Sequence, residues 1–122
     1  MSKYAFSAHS KKQLKTCDSA LQEIMGRAIL EYDFSILEGF RGEAAQNNAF
    51  DNGFSKVRWP NGKHNVFPSK AVDVAPYPIR WNDPVRFCEL AVIIKRIAAE
   101  LFIKVKWGGD WGWDLAHWEL VE

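Results

Sequence analysis

The chain has 122 residues, 48% of them hydrophobic and 25% charged, which suits one domain with a real core and excludes a disordered segment. With 16 basic residues against 15 acidic ones the formal net charge is +1, so no global field draws the chain to nucleic acid or to a membrane surface. No segment reaches the ~20 apolar residues of a membrane helix, and the six tryptophans supply aromatic area that can fill a core or line a pocket.

Ser7 or Ser10 can cap a helix from about Lys11 to Leu30, along which Leu14, Cys17, Leu21, Ile24, Met25 and Ala28 form one apolar face. Met25 is then core filling, and His9, with no partner at ligand spacing, is a surface residue. Cys17 and Cys88 are expected as free, buried thiols, because nothing marks the chain for export. Met1 to Ser7 hold no apolar core of signal-peptide length, which implies a chain made in, and at first retained in, a cytoplasm.

Tyr32 to Phe40 reads as a strand broken at Gly39, and Glu43 to Phe50 as a helix ending at Asp51-Asn52-Gly53. Arg41 stands at the junction of the two, with Gln46 a little more than one turn further on, so both can line one opening; composition alone favours an ordinary surface arginine. Phe54 to Lys63 is a loop around Trp59-Pro60-Asn61-Gly62, ringed by Lys56, Arg58 and Lys63. These cations read either as a basic lip for an anionic substrate or as a solvated loop.

His64 to Tyr77 carries the strongest chemical signal. Val72 and Val74 flank Asp73, so a strand here points the valines to one face and the carboxylate to the other. A carboxylate among strand formers is costly unless a donor, a cation or a metal compensates it, and a turn at Pro68 brings His64 back beside Asp73. Asp83 and Pro84 start a helix running to about Phe102, with Val85, Cys88, Ala91, Val92, Ile94, Lys95 and Ala98 at helical spacing. Ile103 to Trp107 and His117 to Val121 alternate as strands on either side of a Gly108-Gly109 turn. Helices and short antiparallel strands in mixed order, without a βαβ rhythm, make a single α+β domain over residues 1–122, its sheet packed against helices.

Two histidines and an aspartate can hold a zinc ion with its fourth position open, the arrangement of catalytic sites. His64, Asp73 and His117 can supply these ligands, Asp114 a general base and Arg41 a cation for a developing oxyanion. Spacing alone leaves another reading open, a His–Asp hydrogen bond in the core beside an exposed Asp114.

The run His64…Pro68-Ser69-Lys70-Ala71-Val72-Asp73-Val74…Pro76-Tyr77 resembles the zinc motif of the D-alanyl-D-alanine carboxypeptidase and L-alanyl-D-glutamate peptidase family, and most of all its small phage endolysins. Trp107-Gly108-Gly109-Asp110-Trp111 and Asp114-Leu115-Ala116-His117-Trp118-Glu119-Leu120 resemble the second half of that site, and the likeness runs from about Phe34 to the C-terminus. It implies a hedgehog/DD-peptidase-like fold, with zinc on His64, Asp73 and His117. It further implies Asp114 as the proton carrier, Arg41 on the substrate carbonyl or oxyanion, and Gln46 positioning the peptide. The implied activity is hydrolysis of the L-alanyl-D-glutamate bond in the stem peptide of peptidoglycan, by an enzyme that reaches the wall once the host membrane is permeabilised; a monomer without a nucleic-acid partner or stable membrane association is expected. D-alanyl-D-alanine hydrolysis and a non-catalytic wall-binding module are the alternatives of the same fold. The chain departs from its relatives at Gly62, where many have serine two residues before the first histidine.

Overall fold

The computed structural model describes residues 4–121; residues 1–3, the start of the stretch read for an export signal, and residue 122 lie outside it. Four helices and four strands follow the chain in the order α1 (Ala8–Leu14), α2 (Ser19–Ala28), β1 (Phe34–Glu38), α3 (Glu43–Asp51), β2 (Ala71–Pro76), α4 (Pro84–Glu100), β3 (Val105–Trp107) and β4 (His117–Leu120). The strands pair antiparallel in the order β1-β2-β4-β3.

The expected helix from Lys11 to Leu30 is two helices. Ser7 caps the first by accepting from the Ser10 amide, and Asp18 caps the second by accepting from the Ala20 amide at 2.9 Å. The apolar spacing runs unbroken through Cys17 because both helices bury the same side, so periodicity cannot mark the break. What marks it is Asp18, a residue that favours caps over helix interiors. At the break the chain binds the approach to β2, with the Ser69 amide donating to Thr16 O at 2.8 Å and the Asp18 amide to Ser69 O at 2.9 Å. Asp18 also pairs with Lys70 at 2.9 Å.

One face of the sheet carries the core. Phe34, Ile36, Val72, Val74 and Trp118 are buried there against Leu21, Ile24 and Met25 of α2 and Phe87, Leu90, Ile94 and Ile97 of α4. The stripe on α4 is rotated from the one expected: Val85, Cys88 and Val92 are exposed, since the 3–4 spacing of Phe87, Leu90, Ala91, Ile94, Ile97 and Ala98 buries more area. Cys17 is buried and Cys88 is not, and both are free thiols. Asp83 occupies the cap position of α4 without making the side-chain bond, and the helix ends at Glu100, two residues before Phe102 turns to φ 58°.

Burying Val72 and Val74 is worth roughly 1.5–3 kcal/mol each, and a one-residue slip would exchange them for Asp73. Asp73 therefore faces away from the helices, and the register pairs it with His117 on β4. On β1 alternation from Phe34 and Ile36 would send Glu38 to the core, but the pairing with β2 shifts between Ile36 and Glu38. This bulge sets Glu38 opposite Asp73. Glu38, Asp73 and His117 thus form a row across three strands on the outer face.

Candidate active site

The outer face forms the floor of a cleft of about 1190 Å³, whose lining includes Arg41, His64, Asp73, Asp114 and His117. His64 comes from a 3-10 turn, Lys63–Asn65, and is 3% exposed. Its Nε2 lies 3.4 Å from Asp73 Oδ1, and His117 Nδ1 lies 3.3 Å from the same oxygen. One ligand atom from each of the three residues falls within 4.8 Å of the others, a group able to hold a metal ion.

The remaining ring nitrogens define which atoms face that point. His64 Nδ1 lies 2.7 Å from Gly39 O, an acceptor, so it carries the ring proton and leaves Nε2 bare. His117 Nε2 lies 2.9 Å from Glu119 Oε1, so in the neutral ring Nε2 carries the proton and Nδ1, facing Asp73, is the free donor atom. His64 Nε2 and Asp73 Oδ1 are buried polar atoms without a hydrogen-bond partner among the described residues. Anchoring one imidazole nitrogen on a carbonyl or carboxylate and freeing the other is how metal-binding histidines are oriented. The donor set and its orphaned atoms therefore fit a divalent cation better than a self-satisfied core.

Neighbouring charges oppose burial here. Burial pushes the Asp73 carboxyl up, but the approach of His117 and then His64 outweighs it and holds the group well below the usual carboxylate range. Burial pushes the His117 imidazole down, yet the surrounding carboxylates, Asp73 first, then Glu119 and Asp114, raise it to about 9. Asp114 is raised by burial and by Asp73, against the pull of His117, His64 and Arg41. A carboxyl so raised is suited to exchanging a proton.

Asp114 sits in the loop between β3 and β4, whose path depends on Gly108. A Cβ at Gly108 would stand 2.0 Å from Asp114 O, so only glycine lets the two backbones approach this closely. Asp110, in the same loop, turns outward to Lys95 at 3.0 Å.

Arg41 is held on three sides. Its Nε donates to Glu38 Oε1 at 2.9 Å, its Nη1 to Gln46 Oε1 at 2.9 Å, and its Nη2 to Glu38 Oε1 at 2.6 Å and Asp73 Oδ2 at 3.3 Å. Four of its five N–H donors are thereby engaged, leaving one on Nη1 for the cleft. Gln46 is 1% exposed, and its carboxamide is used inside the protein: Nε2 donates to Ser55 Oγ and Val57 O, and Oε1 also accepts from Asn65 Nδ2. Any hold it has on a peptide passes through Arg41. At Gly62 a Cβ would stand 2.7 Å from Asn65 Oδ1 and 3.1 Å from Gln46 Oε1, so Asn65 and Gln46 fill the room a serine side chain would need.

Glu38, Glu119, Asn65 and the Gly39 carbonyl were not singled out in the sequence. Glu119 had a usable signal, since it stands two residues after His117 in an alternating strand and shares its face.

A four-stranded antiparallel sheet backed by helices, with two imidazoles and a carboxylate converging in an open cleft, makes a small α+β domain with a candidate metal centre. The profile of the phage L-alanyl-D-glutamate peptidase family matches residues 1–119, and the chain belongs to that family. It is 36% identical over 115 residues to the L-alanyl-D-glutamate peptidase of Escherichia phage T5, covering 88% of this chain and 82% of that protein. Its fold is similar to the crystal structure of the Serratia marcescens L-Ala D-Glu endopeptidase ChiX, with a TM-score of 0.81 and 28% identity over 98% of this chain and 92% of that one.

Proposed function

We propose that the protein is a zinc peptidase that hydrolyses the L-alanyl-D-glutamate bond of peptidoglycan stem peptides. The observation that carries this reading is the convergence of one possible ligand atom from each of His64, Asp73 and His117, the other side of each group being anchored. Zinc bonds of about 2.0–2.1 Å in a tetrahedron require ligand atoms about 3.3 Å apart, and Asp73 Oδ1 lies 3.4 and 3.3 Å from the two imidazole nitrogens. Held by His64 Nε2, Asp73 and His117 Nδ1, zinc would supply Lewis acidity for the attacking water and the scissile carbonyl.

The chain's own residues carry the rest. Asp114 takes a proton from the water that attacks the L-alanyl carbonyl, and delivers it to the amine of D-glutamate as the C–N bond breaks. Arg41 meets the carbonyl oxygen with its remaining Nη1 hydrogen as negative charge develops there. Gln46 and Glu38 hold that guanidinium in place and so act on the substrate through it. Family membership favours this bond over D-alanyl-D-alanine, because the family and both relatives are named for L-alanyl-D-glutamate cleavage. Such an enzyme acts on the wall from the side where membrane permeabilisation delivers it. Among the described residues no helix is long and apolar enough to cross a membrane.

Digestion of purified peptidoglycan followed by mass spectrometry of the muropeptides tests the reading. New amino termini on D-glutamate are expected, lost on chelation and restored by zinc. Asp114→Ala should retain one zinc per chain and lose about 100-fold or more in turnover. Release of free D-alanine in place of those termini would reassign the bond, and undiminished cleavage after chelation would remove the metal from the reaction.

A further inference from the structure

Whichever carboxyl joins D-glutamate to the rest of the stem peptide, the other stays free, a few bonds from the scissile nitrogen. The substrate therefore brings an anion into a cleft already lined by Glu38, Asp73, Asp114 and Glu119. Arg41 has one N–H left for the cleft, and the reaction above places it on the scissile carbonyl oxygen, so the free carboxylate needs another cation. Of the three cations around the loop from Phe54 to Lys63, Arg58 pairs with Asp51 at 2.8 Å and is not among the cleft-lining residues, whereas Lys56 and Lys63 line the cleft.

Lys63 adjoins the ligand His64 in the turn Lys63–Asn65 and lines the cleft beside it. Lys56 also lines the cleft, with Nζ 5.2 Å from the centre of the Trp113 ring, next to Asp114 in sequence. A cation over an indole face is oriented without being neutralised, so its N–H donors remain available to an anion. Asp114 serves the leaving amine in the reaction above, and of the two lysines Lys56 is the one held against Trp113, the residue preceding Asp114.

We propose that Lys56, oriented by Trp113, binds the free carboxylate of the D-glutamyl residue and gives the enzyme its preference for an acidic residue after the scissile bond. The proposal rests on the peptidase reading and adds the recognition of one half of the substrate.

Two synthetic peptides differing only in that carboxyl, free in one and a carboxamide in the other, test it with the zinc-loaded full chain. The unmodified enzyme should favour the free acid by about tenfold or more in kcat/KM, the scale of a hydrogen bond to a charged partner. In Lys56→Met the ratio should fall to within about twofold of unity, while Lys56→Arg keeps most of it and Lys63→Met leaves it intact. Zinc content and thermal midpoint accompany each variant, so that misfolding is separated from lost recognition. An unchanged ratio in Lys56→Met, or a collapse in Lys63→Met instead, would overturn the assignment to Lys56 and leave the peptidase reading standing. Cleavage of neither peptide by the unmodified enzyme would overturn the peptidase reading itself.

Discussion

Each imidazole of the site has two nitrogens and two tasks, and the protein assigns them with different acceptors. His64 gives its Nδ1 proton to a backbone carbonyl, Gly39 O, which no side-chain substitution at position 39 can delete. His117 gives its Nε2 proton to Glu119, which can be deleted. Replacing Glu119 by Ala should free the ring to rotate or change tautomer and weaken zinc binding about 10–100-fold, the usual scale for such an outer partner. Glu119→Gln keeps an acceptor and should recover most of the affinity. Competition with a chromophoric chelator measures both, and equal affinities in all three proteins would deny Glu119 its role. The grouping of His64, Asp73 and His117 was legible in sequence because metal ligation restricts it to few residue types, while Glu119 was marked only by its place two residues after His117 on an alternating strand. Its function depends on which nitrogen His117 turns inward, and only the folded geometry specifies that.

Secondary structure positions the site through the packing of the helix break on Gly39 and a bulge in β1, and these were the parts least readable in advance. The break between α1 and α2 presses Thr16 and Cys17 against Gly39, where a Cβ would lie 2.3 Å from Thr16 Oγ1 and 2.6 Å from Gln13 O. Thr16 Oγ1 also accepts from the Phe40 amide at 2.8 Å, so this helix end fixes the carbonyl on which His64 is hung. Read as one continuous helix, the N-terminal segment gave no hint of that contact. The β1 bulge is equally silent in sequence, because strict alternation sends Glu38 inward, away from Arg41 and Asp73. Strand existence and the Asp73–His117 face were legible, since apolar alternation fixes both. Gly39→Ala should cost about 1–3 kcal/mol of stability, the range for overpacking, and lower zinc affinity as well, because its clash displaces the His64 anchor. Chemical denaturation of the metal-free protein and zinc titration of the folded protein separate the two effects. Lost stability with unchanged zinc affinity would mean that the helix break supports the fold without tuning the site.

At the scale of the molecule, the helix-covered face of the sheet carries the stability and the outer face carries the charge, so the cluster of His64, Asp73 and His117 titrates on a scaffold that need not change. Without metal, His117 is raised from its ordinary 6.5 to about 9. A raised folded-state value means that the stabilisation is fully present below about 6.5 and is lost as pH climbs through about 9. The metal-free protein should therefore lose thermal stability over this window. Cys17 does not intrude, because burial pushes its thiol up to about 11. Zinc reverses the sign, since it requires His117 neutral and must displace the proton that the carboxylates favour, so affinity should rise by about tenfold per pH unit below 9 if one proton is released. At a fixed, buffered concentration of free zinc, the gap between loaded and metal-free melting temperatures should then widen steadily from pH 6.5 to 9. Calorimetric titration in two buffers of different ionisation enthalpy gives the same quantity as protons released per zinc bound. A gap that stays constant across the window, together with no proton release, would mean that His117 does not exchange its proton for the metal. The row of charges across the outer face would then serve the fold, since the same three residues would be held together by a proton in place of a cation.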